Sequence, residues 1–179
     1  MGDGRDQALA VKAARGDAAA FACLVERHYD RIFRLSWRLT GNRIDAEDVA
    51  QDVCAKLGHA IRSFRGDAEF STWLWRITYN AATDLLRARQ RIEPLAPSEM
   101  MMLVDASIEP ALENDIEAGQ LWHTVNRLPG QQRDAVLLVY GEEMSHAEAA
   151  AVMGCSEKTV SWHLHAARKR LKLMLEVAE

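Results

Sequence analysis

The sequence predicts an all-α protein of two small helical domains joined by an acidic, proline-containing linker. Apolar residues recur every three to four positions along most of the chain, and no stretch alternates convincingly with the period of two that a half-buried strand requires. Three of the four prolines lie between residues 93 and 112, which marks one interruption. We therefore expect a first domain at 1–92, a linker at 93–111 and a second domain at 112–179.

Three long helices are predicted in the first domain. Asp17 is expected to cap the first, which ends at Thr40-Gly41-Asn42, and Asp45 to cap the second, because aspartate oxygens accept from the free amides of a first turn. A loop at 64–69 precedes a third helix over about 70–91. The apolar stripes expected in the core are Phe21, Leu24, Val25, His28, Ile32, Leu35 and Leu39; then Val49, Val53, Leu57 and Ile61; then Phe70, Leu74, Ile77, Ala81, Leu85 and Ala88.

A helix-turn-helix pattern dominates the second domain. After a helical segment from about Leu112 and a second helix at Gln131–Tyr140, Ser145 is expected to cap one helix and Ser156 the next. The stripe in the first segment is Leu121, Val125 and Leu128, and it is broken at Pro129-Gly130. Three positions form the framework of this motif. Ala150 is small where the two helices cross, and Val160 is buried between them. Gly154 can take a positive φ in the turn.

The last helix is predicted to have two chemically different faces. Val160, Leu164, Ala167 and Leu171 fall on the core side at 100° per residue. The outward face contains Lys158, Ser161, Trp162, His165, Lys169 and Lys172, with Arg168 to one side. Such a face suits a helix lying in a DNA major groove. The alternative is an amphipathic surface helix with a solvated basic face.

The stretch FRGDAEFSTWLWRITYN at 64–80 mixes rings with arginines. The apolar stripe leaves Trp75 and Tyr79 pointing outward and Trp73 and Asn80 on the flanks. Rings beside cations are what single-stranded nucleic acid requires, because bases stack on aromatic faces while arginines hold phosphates. The alternative is that the rings pack against neighbouring helices, which we expect in part for Phe64, Phe70 and Trp73.

Charge is distributed unevenly along the chain. The net charge of −4 by itself argues against a polyanionic partner. However, residues 62–92 hold six arginines and three acids, residues 93–118 hold seven acids and neither Lys nor Arg, and residues 156–172 hold five bases and one acid. This order predicts two nucleic-acid contacts separated by a segment with another role.

Several function classes are excluded by the sequence. No run approaches the ~20 apolar residues of a membrane span, and the charged N-terminus lacks the apolar block of a signal peptide. Cys23, Cys54 and Cys155 are scattered, so we expect reduced, mostly buried thiols in a cytoplasmic protein. His163 and His165 point ~200° apart on a helix and cannot share a metal. We expect no catalysis, metal, cofactor or small-molecule substrate.

Three segments together resemble one family. DAEDVAQDVCAKL precedes FRGDAEFSTWLWRITYNAATDLLR, and after the linker comes LPGQQRDAVLLVYGEEMSHAEAAAVMGCSEKTVSWHLHAARKRL. In this order they are similar to a bacterial extracytoplasmic-function (group IV) sigma factor of the sigma-70 family. The resemblance covers about residues 15–92 as region 2 and 112–175 as region 4, nearly the whole chain.

The resemblance implies an alternative sigma factor that binds the clamp helices and flap of core RNA polymerase and directs promoter-specific initiation. Region 2 then captures the −10 element of promoter DNA as a single strand and assists melting, and region 4 binds the −35 element as duplex. Control by an anti-sigma factor, often a membrane-tethered one, is also implied.

Site residues follow from the same resemblance. The core-polymerase contacts are Asp45, Asp48, Gln51 and Asp52. The −10 contacts are Phe64, Arg65, Gly66, Asp67, Ala68, Glu69, Phe70, Thr72, Trp73, Arg76 and Asn80. The −35 contacts are Lys158, Thr159, Ser161, Trp162, His165, Arg168 and Lys169. Trp162 and His163 stand where the family commonly has basic or small residues.

One other function class remains open from the sequence. A stand-alone helix-turn-helix regulator would use its N-terminal helical domain to sense a ligand or to dimerise. Such a regulator binds a palindrome unaided as a dimer, whereas a sigma factor directs transcription only with core polymerase.

Overall fold

The computed structural model describes residues 3–92, 122 and 124–176, and every regular element within those residues is a helix. The predicted all-α fold is therefore confirmed. The chain divides into two compact units, Met1–Pro94 and Leu95–Glu179. The predicted linker and the helical segment expected from Leu112 to Leu121 lie outside the described residues. In the described ranges, no helix has the length and apolar character needed to cross a membrane.

Four helices form the first unit. They are α1 (Asp3–Ala14), α2 (Ala18–Thr40), α3 (Arg43–Ala60) and α4 (Phe70–Ile92), with a 3₁₀ turn at Ile61–Ser63. Helix α2 packs against the other three, and α4 contacts each of them as well. The fully buried large side chains at the centre are Ile32, Leu35, Leu39, Val49, Val53 and Leu74.

The predicted end of α2 is confirmed, but the predicted start of α3 is wrong. Asp17 Oδ1 accepts from the Ala20 amide at 3.0 Å, and Gly41 ends α2 with a φ of 69°. Helix α3 is capped by Asn42, whose side-chain oxygen accepts from the Asp45 amide at 3.1 Å. Asp45 therefore lies inside the first turn, and its buried side chain is not the cap.

Helix α4 is buried over a wider arc than one stripe. Trp75 and Tyr79, predicted to point outward, are only 2% and 6% exposed, so that prediction is wrong. The physical reason is that α1, α2 and α3 all pack on α4. Trp75 lies beneath the Arg31 guanidinium, whose carbon is 5.0 Å from the ring centroid, a cation–π distance. Of the predicted stripe, Ile77 is half-buried and Ala88 is exposed.

Helix α1, which the sequence did not predict, is held to α2 by polar contacts. Asp6 is buried and bonds to His28 Nε2 and to Arg27 Nη1, both at 3.0 Å. Burial lowers the pKa of His28 from its ordinary value of 6.5, and the nearby Asp6 carboxylate opposes that shift without cancelling it. The buried apolar contacts of α1 come from two small side chains, Ala10 and Ala13.

The second unit contains the predicted helix-turn-helix. Residues 124–126 are helical, and they are followed by α5 (Gly130–Val136), a π turn (Leu137–Gly141), α6 (His146–Met153) and α7 (Glu157–Glu176). Ser145 caps α6 in a capping box with Glu148, which lowers the pKa of that carboxyl through the hydrogen bonds from Ser145. Gly154 ends α6 with a φ of 67°, as predicted.

All three cysteines are free, as expected, but each is half-buried rather than mostly buried. Burial raises the pKa of the Cys54 and Cys155 thiols. A raised pKa keeps a thiol protonated near neutral pH, and a protonated thiol is a weak nucleophile.

The buried His28 makes stability depend on pH. Since its folded-state pKa lies below 6.5, the unfolded state binds more protons below that pH, and stability is lost as pH falls through this window. We expect the free energy of unfolding, from urea titrations, to be level from pH 8 to 7 and to fall from pH 6.5 toward about pH 5. His28→Gln should flatten this slope, and the exposed His59→Gln should not. Equal slopes in wild type and His28→Gln would contradict this assignment.

Candidate nucleic-acid and partner-protein surfaces

An aromatic cluster closes the base of the loop at 65–69. The ring centroid of Phe64 lies 5.8 Å from that of Phe70 and 5.2 Å from that of Trp73, both edge to face. Phe70 also meets the His28 ring at 5.5 Å. Phe64 and Phe70 are buried, so their rings are not exposed for stacking in this structure, and their contact with DNA stays a prediction. Their role in the structure is to fix the two ends of the loop.

The residues between these two rings are exposed. The exposed loop consists of Arg65, Gly66, Asp67, Ala68 and Glu69. Gly66 has a φ of +79°, which an L side chain rarely adopts, so a glycine is needed where the loop reverses direction. Because residues 65–69 are exposed, a base that enters the loop would meet both backbone peptide groups and charged side chains.

One face of α4 continues the surface of this loop. Arg76 and Asn80 are exposed, and Thr72 and Trp73 are partly exposed. Residues four apart on a helix lie on the same side, so these positions form one strip that leads away from the loop. The structure thus brings the loop and this strip together, as the sequence predicted, and Trp73 is the partly exposed ring in the strip.

A second exposed face lies on α3. Asp48, Gln51 and Asp52 are exposed, and Asp52 pairs with Lys56 at 2.6 Å. Ile44 is also on the surface, 67% exposed, four residues before Asp48. The sequence signal for the exposure of Ile44 is its position off the stripe formed by Val49, Val53 and Leu57.

Asp45 differs from its three predicted companions. Its carboxylate is buried and pairs with the Arg89 guanidinium, which joins the start of α3 to the end of α4. Burial raises the pKa of Asp45, and Arg89 opposes the rise. The Asp45 side chain is therefore used inside the unit, and its contact with another protein stays a prediction.

The outward face of α7 is as predicted. Val160, Leu164 and Ala167 are buried, and Leu171 is partly so. The predicted −35 residues that are exposed are Lys158, Ser161, Trp162, His165, Arg168 and Lys169. Trp162 stands out at 61% exposed. Thr159 is half-buried, and its hydroxyl lies 2.8 Å from that of Ser156.

Several hydrogen bonds fix α7 against the elements before it. The Ser156 hydroxyl oxygen accepts from the Thr159 amide at 3.2 Å, which confirms the predicted cap. His146 Nδ1 lies 3.1 Å from Ser161 Oγ, and Arg168 donates to the Tyr140 hydroxyl at 3.3 Å. The predicted recognition face is therefore held at both its beginning and its end.

The histidines of α7 lie in different environments. His163 is buried and meets the Trp162 ring edge to face at 5.0 Å, whereas His165 is exposed. Within the described part of the chain, no group of three His, Cys, Asp or Glu side chains is placed to hold a metal.

Taken together, these surfaces define a two-unit nucleic-acid-binding protein of the helix-turn-helix class, with a second cationic and aromatic site on a separate helical unit. The comparisons with known proteins identify the family. The profile of sigma-70 region 2 matches residues 24–92, and that of sigma-70 region 4 matches residues 118–171. The chain belongs to the sigma-70 family.

Named relatives agree with this assignment over nearly the whole chain. The chain is 32% identical to RNA polymerase sigma-H factor of Pseudomonas aeruginosa, covering 96% of this chain and 94% of that one. It is 35% identical to the extracytoplasmic-function (ECF) sigma factor SigM of Mycobacterium tuberculosis, covering 95% and 84%. A solved structure of CnrH in complex with the cytosolic domain of CnrY superposes with a TM-score of 0.71 at 29% identity, covering 97% and 99%.

Family membership decides between the two functions that the sequence left open. The region 2 and region 4 matches occur in the order of a sigma factor. The chain is an alternative sigma factor, and the stand-alone regulator is set aside.

Removing Arg89 should destabilise the first unit. Arg89→Ala leaves the Asp45 carboxylate buried without its cation, and we expect a loss of about 1–3 kcal/mol in the free energy of unfolding, since Arg89 itself is half-exposed. Arg87→Ala is the control, because Arg87 pairs with Asp84 at 3.5 Å on the surface and should cost at most ~0.5 kcal/mol. Urea denaturation measures both. Equal losses of unfolding free energy in Arg89→Ala and Arg87→Ala would contradict the prediction that the buried Asp45 carboxylate needs its ion pair.

Proposed function

We propose that this sigma factor acts in the cytoplasm with core RNA polymerase, without catalysis of its own, by opening the promoter −10 element on its first unit and binding the −35 duplex on its second. The observation that supports the proposal is that the exposed loop at 65–69 runs directly into the strip with Arg76 and Asn80. We assign residues 1–92 and 112–179 to these two roles and residues 93–111 to a linker.

The first unit has the chemistry to hold unpaired bases. Arg65 and Arg76 supply cations for phosphates, and Asn80 offers a donor and an acceptor to base edges. A base leaving the duplex loses stacking of a few kcal/mol, which a loop pocket and a ring can partly restore. Trp73 is the ring available for stacking, because Phe64 and Phe70 are buried beneath it.

The second unit has the geometry to read a duplex. The N-terminal half of a recognition helix enters the major groove, and its later residues meet the backbone. On this basis Lys158, Ser161 and Trp162 face base edges, and Arg168 and Lys169 face phosphates. Thr159 and His165 complete the contact strip, with Thr159 closest to the buried side.

Core polymerase is proposed to bind the exposed face of α3. Asp48, Gln51 and Asp52 provide polar contacts, and Ile44 provides an apolar one in the same strip. An exposed large apolar side chain beside charged groups is typical of a protein-binding surface, where a buried anchor is surrounded by a polar rim.

Control by an anti-sigma factor is the remaining part of the proposal. CnrH, similar to this chain over nearly its whole length, is found in complex with the cytosolic domain of CnrY. We propose that this chain also has a protein partner, an anti-sigma factor that competes with core polymerase by covering the α3 face.

Promoter opening tests the role of the strip on α4. Holoenzyme is first used to select promoters from randomised DNA, and permanganate then detects unpaired thymines in the −10 region of the selected sequences. Arg76→Ala with Asn80→Ala should lower permanganate reactivity by about tenfold or more, since a phosphate contact and a base contact are lost. Arg34→Ala, an exposed arginine on α2, is the control. Selection of no promoter by wild type, or unchanged opening in the double variant, would refute the proposal.

Binding to core polymerase tests the role of α3. Ile44→Ser combined with Asp48→Ala should raise the dissociation constant for core polymerase by about tenfold or more, because an anchor and its polar neighbour are removed together. The urea midpoint should not change, since both side chains are exposed. His59→Ala, near the other end of α3, serves as the control. Wild-type affinity for polymerase in the double variant would place the binding surface elsewhere.

A further inference from the structure

The exposed loop at 65–69 is contacted by a residue that is far from it in sequence. Gln7 on α1 donates from Nε2 to the Gly66 carbonyl at 3.4 Å and to the Ala68 carbonyl at 3.3 Å. Its Oε1 accepts from the Phe70 amide at 2.9 Å. One amide group thus bonds to the second and fourth residues of the loop and to the first residue of α4.

These bonds satisfy groups that α4 cannot satisfy by itself. The first amides of a helix have no partner within the helix, and they are usually capped by the residue just before it. For Phe70 the acceptor is Gln7, which comes from a different helix. Nε2 lies within hydrogen-bond distance of two carbonyl oxygens and Oε1 accepts from an amide, so both polar atoms of the side chain have partners.

Helix α1 is held firmly enough to position a loop. Asp6, the residue before Gln7, is buried and bonded to Arg27 and His28 on α2. The region 2 profile begins at residue 24, so α1 lies outside the part of the chain that it matches.

We propose that Gln7 is a positioning residue that fixes the loop at 65–69 in the conformation that distinguishes one base from another. The inference rests on the proposed function, because it assumes that this loop receives a base of the −10 element. Gln7 does not contact the base. It sets the direction of the Gly66 and Ala68 carbonyls, and it fixes where the loop ends and α4 begins.

The conformation of Gly66 makes this loop especially dependent on an outside contact. Its φ of +79° lies in a region that glycine enters freely and also leaves freely. A Cβ at this position would meet Gln7 Nε2 at 3.5 Å, so the two residues are in van der Waals reach. The bonds from Gln7 reach two of the five exposed loop residues between the fixed ends, Gly66 and Ala68.

The test replaces Gln7 by methionine, which keeps the length of the side chain and removes its hydrogen bonds. Wild-type and Gln7→Met holoenzymes select promoters in parallel from the same randomised DNA, and sequencing gives the base preference at each −10 position. We expect the preference at the captured position to fall by roughly three- to tenfold in Gln7→Met, because up to three hydrogen bonds that order the loop are lost. Preferences in the −35 element should not change.

Two further variants separate positioning from general stability. Ala8→Met adds the same side chain at the neighbouring exposed position and should select like wild type. Gln7→Glu keeps the acceptor for the Phe70 amide and removes both donors, so it should retain slow hydrogen exchange at that amide while losing base preference. Affinity for core polymerase should be unchanged in all three variants, whereas the urea midpoint should be unchanged in Ala8→Met and slightly lowered in Gln7→Met, which loses the acceptor for the Phe70 amide.

The outcomes distinguish this inference from the function on which it rests. If wild-type holoenzyme selects no promoter, the proposed function fails and the role of Gln7 in base choice fails with it. If wild type selects a promoter and Gln7→Met shows the same −10 preference, the proposed function stands and the role of Gln7 is refuted. A uniform loss at the −10 and −35 elements would show a structural defect and would also refute it.

Discussion

The packing of the Phe64, Phe70 and Trp73 rings against one another is the interaction on which the arrangement of the first unit depends. Centroid distances of 5.2 to 5.8 Å bring both ends of the exposed loop onto one cluster. Such pairs are worth about 0.5–1.5 kcal/mol each beyond the area they bury. Because both ends are fixed, the five residues between them can remain exposed with limited freedom, as a site for an extruded base requires.

Buried carboxylates impose a second constraint, because each one engages an arginine. Asp45 pairs with Arg89 and Asp6 with Arg27, so these cations are not available to a phosphate backbone. Arg89 is one of the six arginines in residues 62–92, which form a basic segment of the sequence. In the structure its charge compensates the buried Asp45 carboxylate. Arg62, Arg65 and Arg76 remain exposed in and beside the loop, so positive charge is present there although the whole chain has a net charge of −4.

The sequence predicted the start or end of a helix correctly where a single capping residue determines it. It was less accurate where two residues could both serve as the cap, or where the buried face has few large apolar side chains. The start of α2 at Asp17 and the turn at Gly154 follow from local chemistry, and both were predicted correctly. Asn42 and Asp45 are both good caps three residues apart, and only the structure shows that the first is used. Helix α1 was missed because its buried side chains include small alanines and a polar Asp6, which make a weak stripe. The contacts of Gln7 join residues about sixty positions apart, and no local pattern indicates them.

The contrast between α4 and α7 shows why one nucleic-acid surface was easier to predict than the other. Helix α7 packs against α5 and α6 on one side, so half of it remains outside, and the projected face agrees with the structure. Helix α4 is surrounded by three helices, which bury Trp75 and Tyr79 and leave a narrow strip. A broad face suits a duplex, whose recognition needs many contacts at once. A narrow strip beside a loop suits a few unpaired bases, and base choice there must depend on how accurately the loop backbone is held.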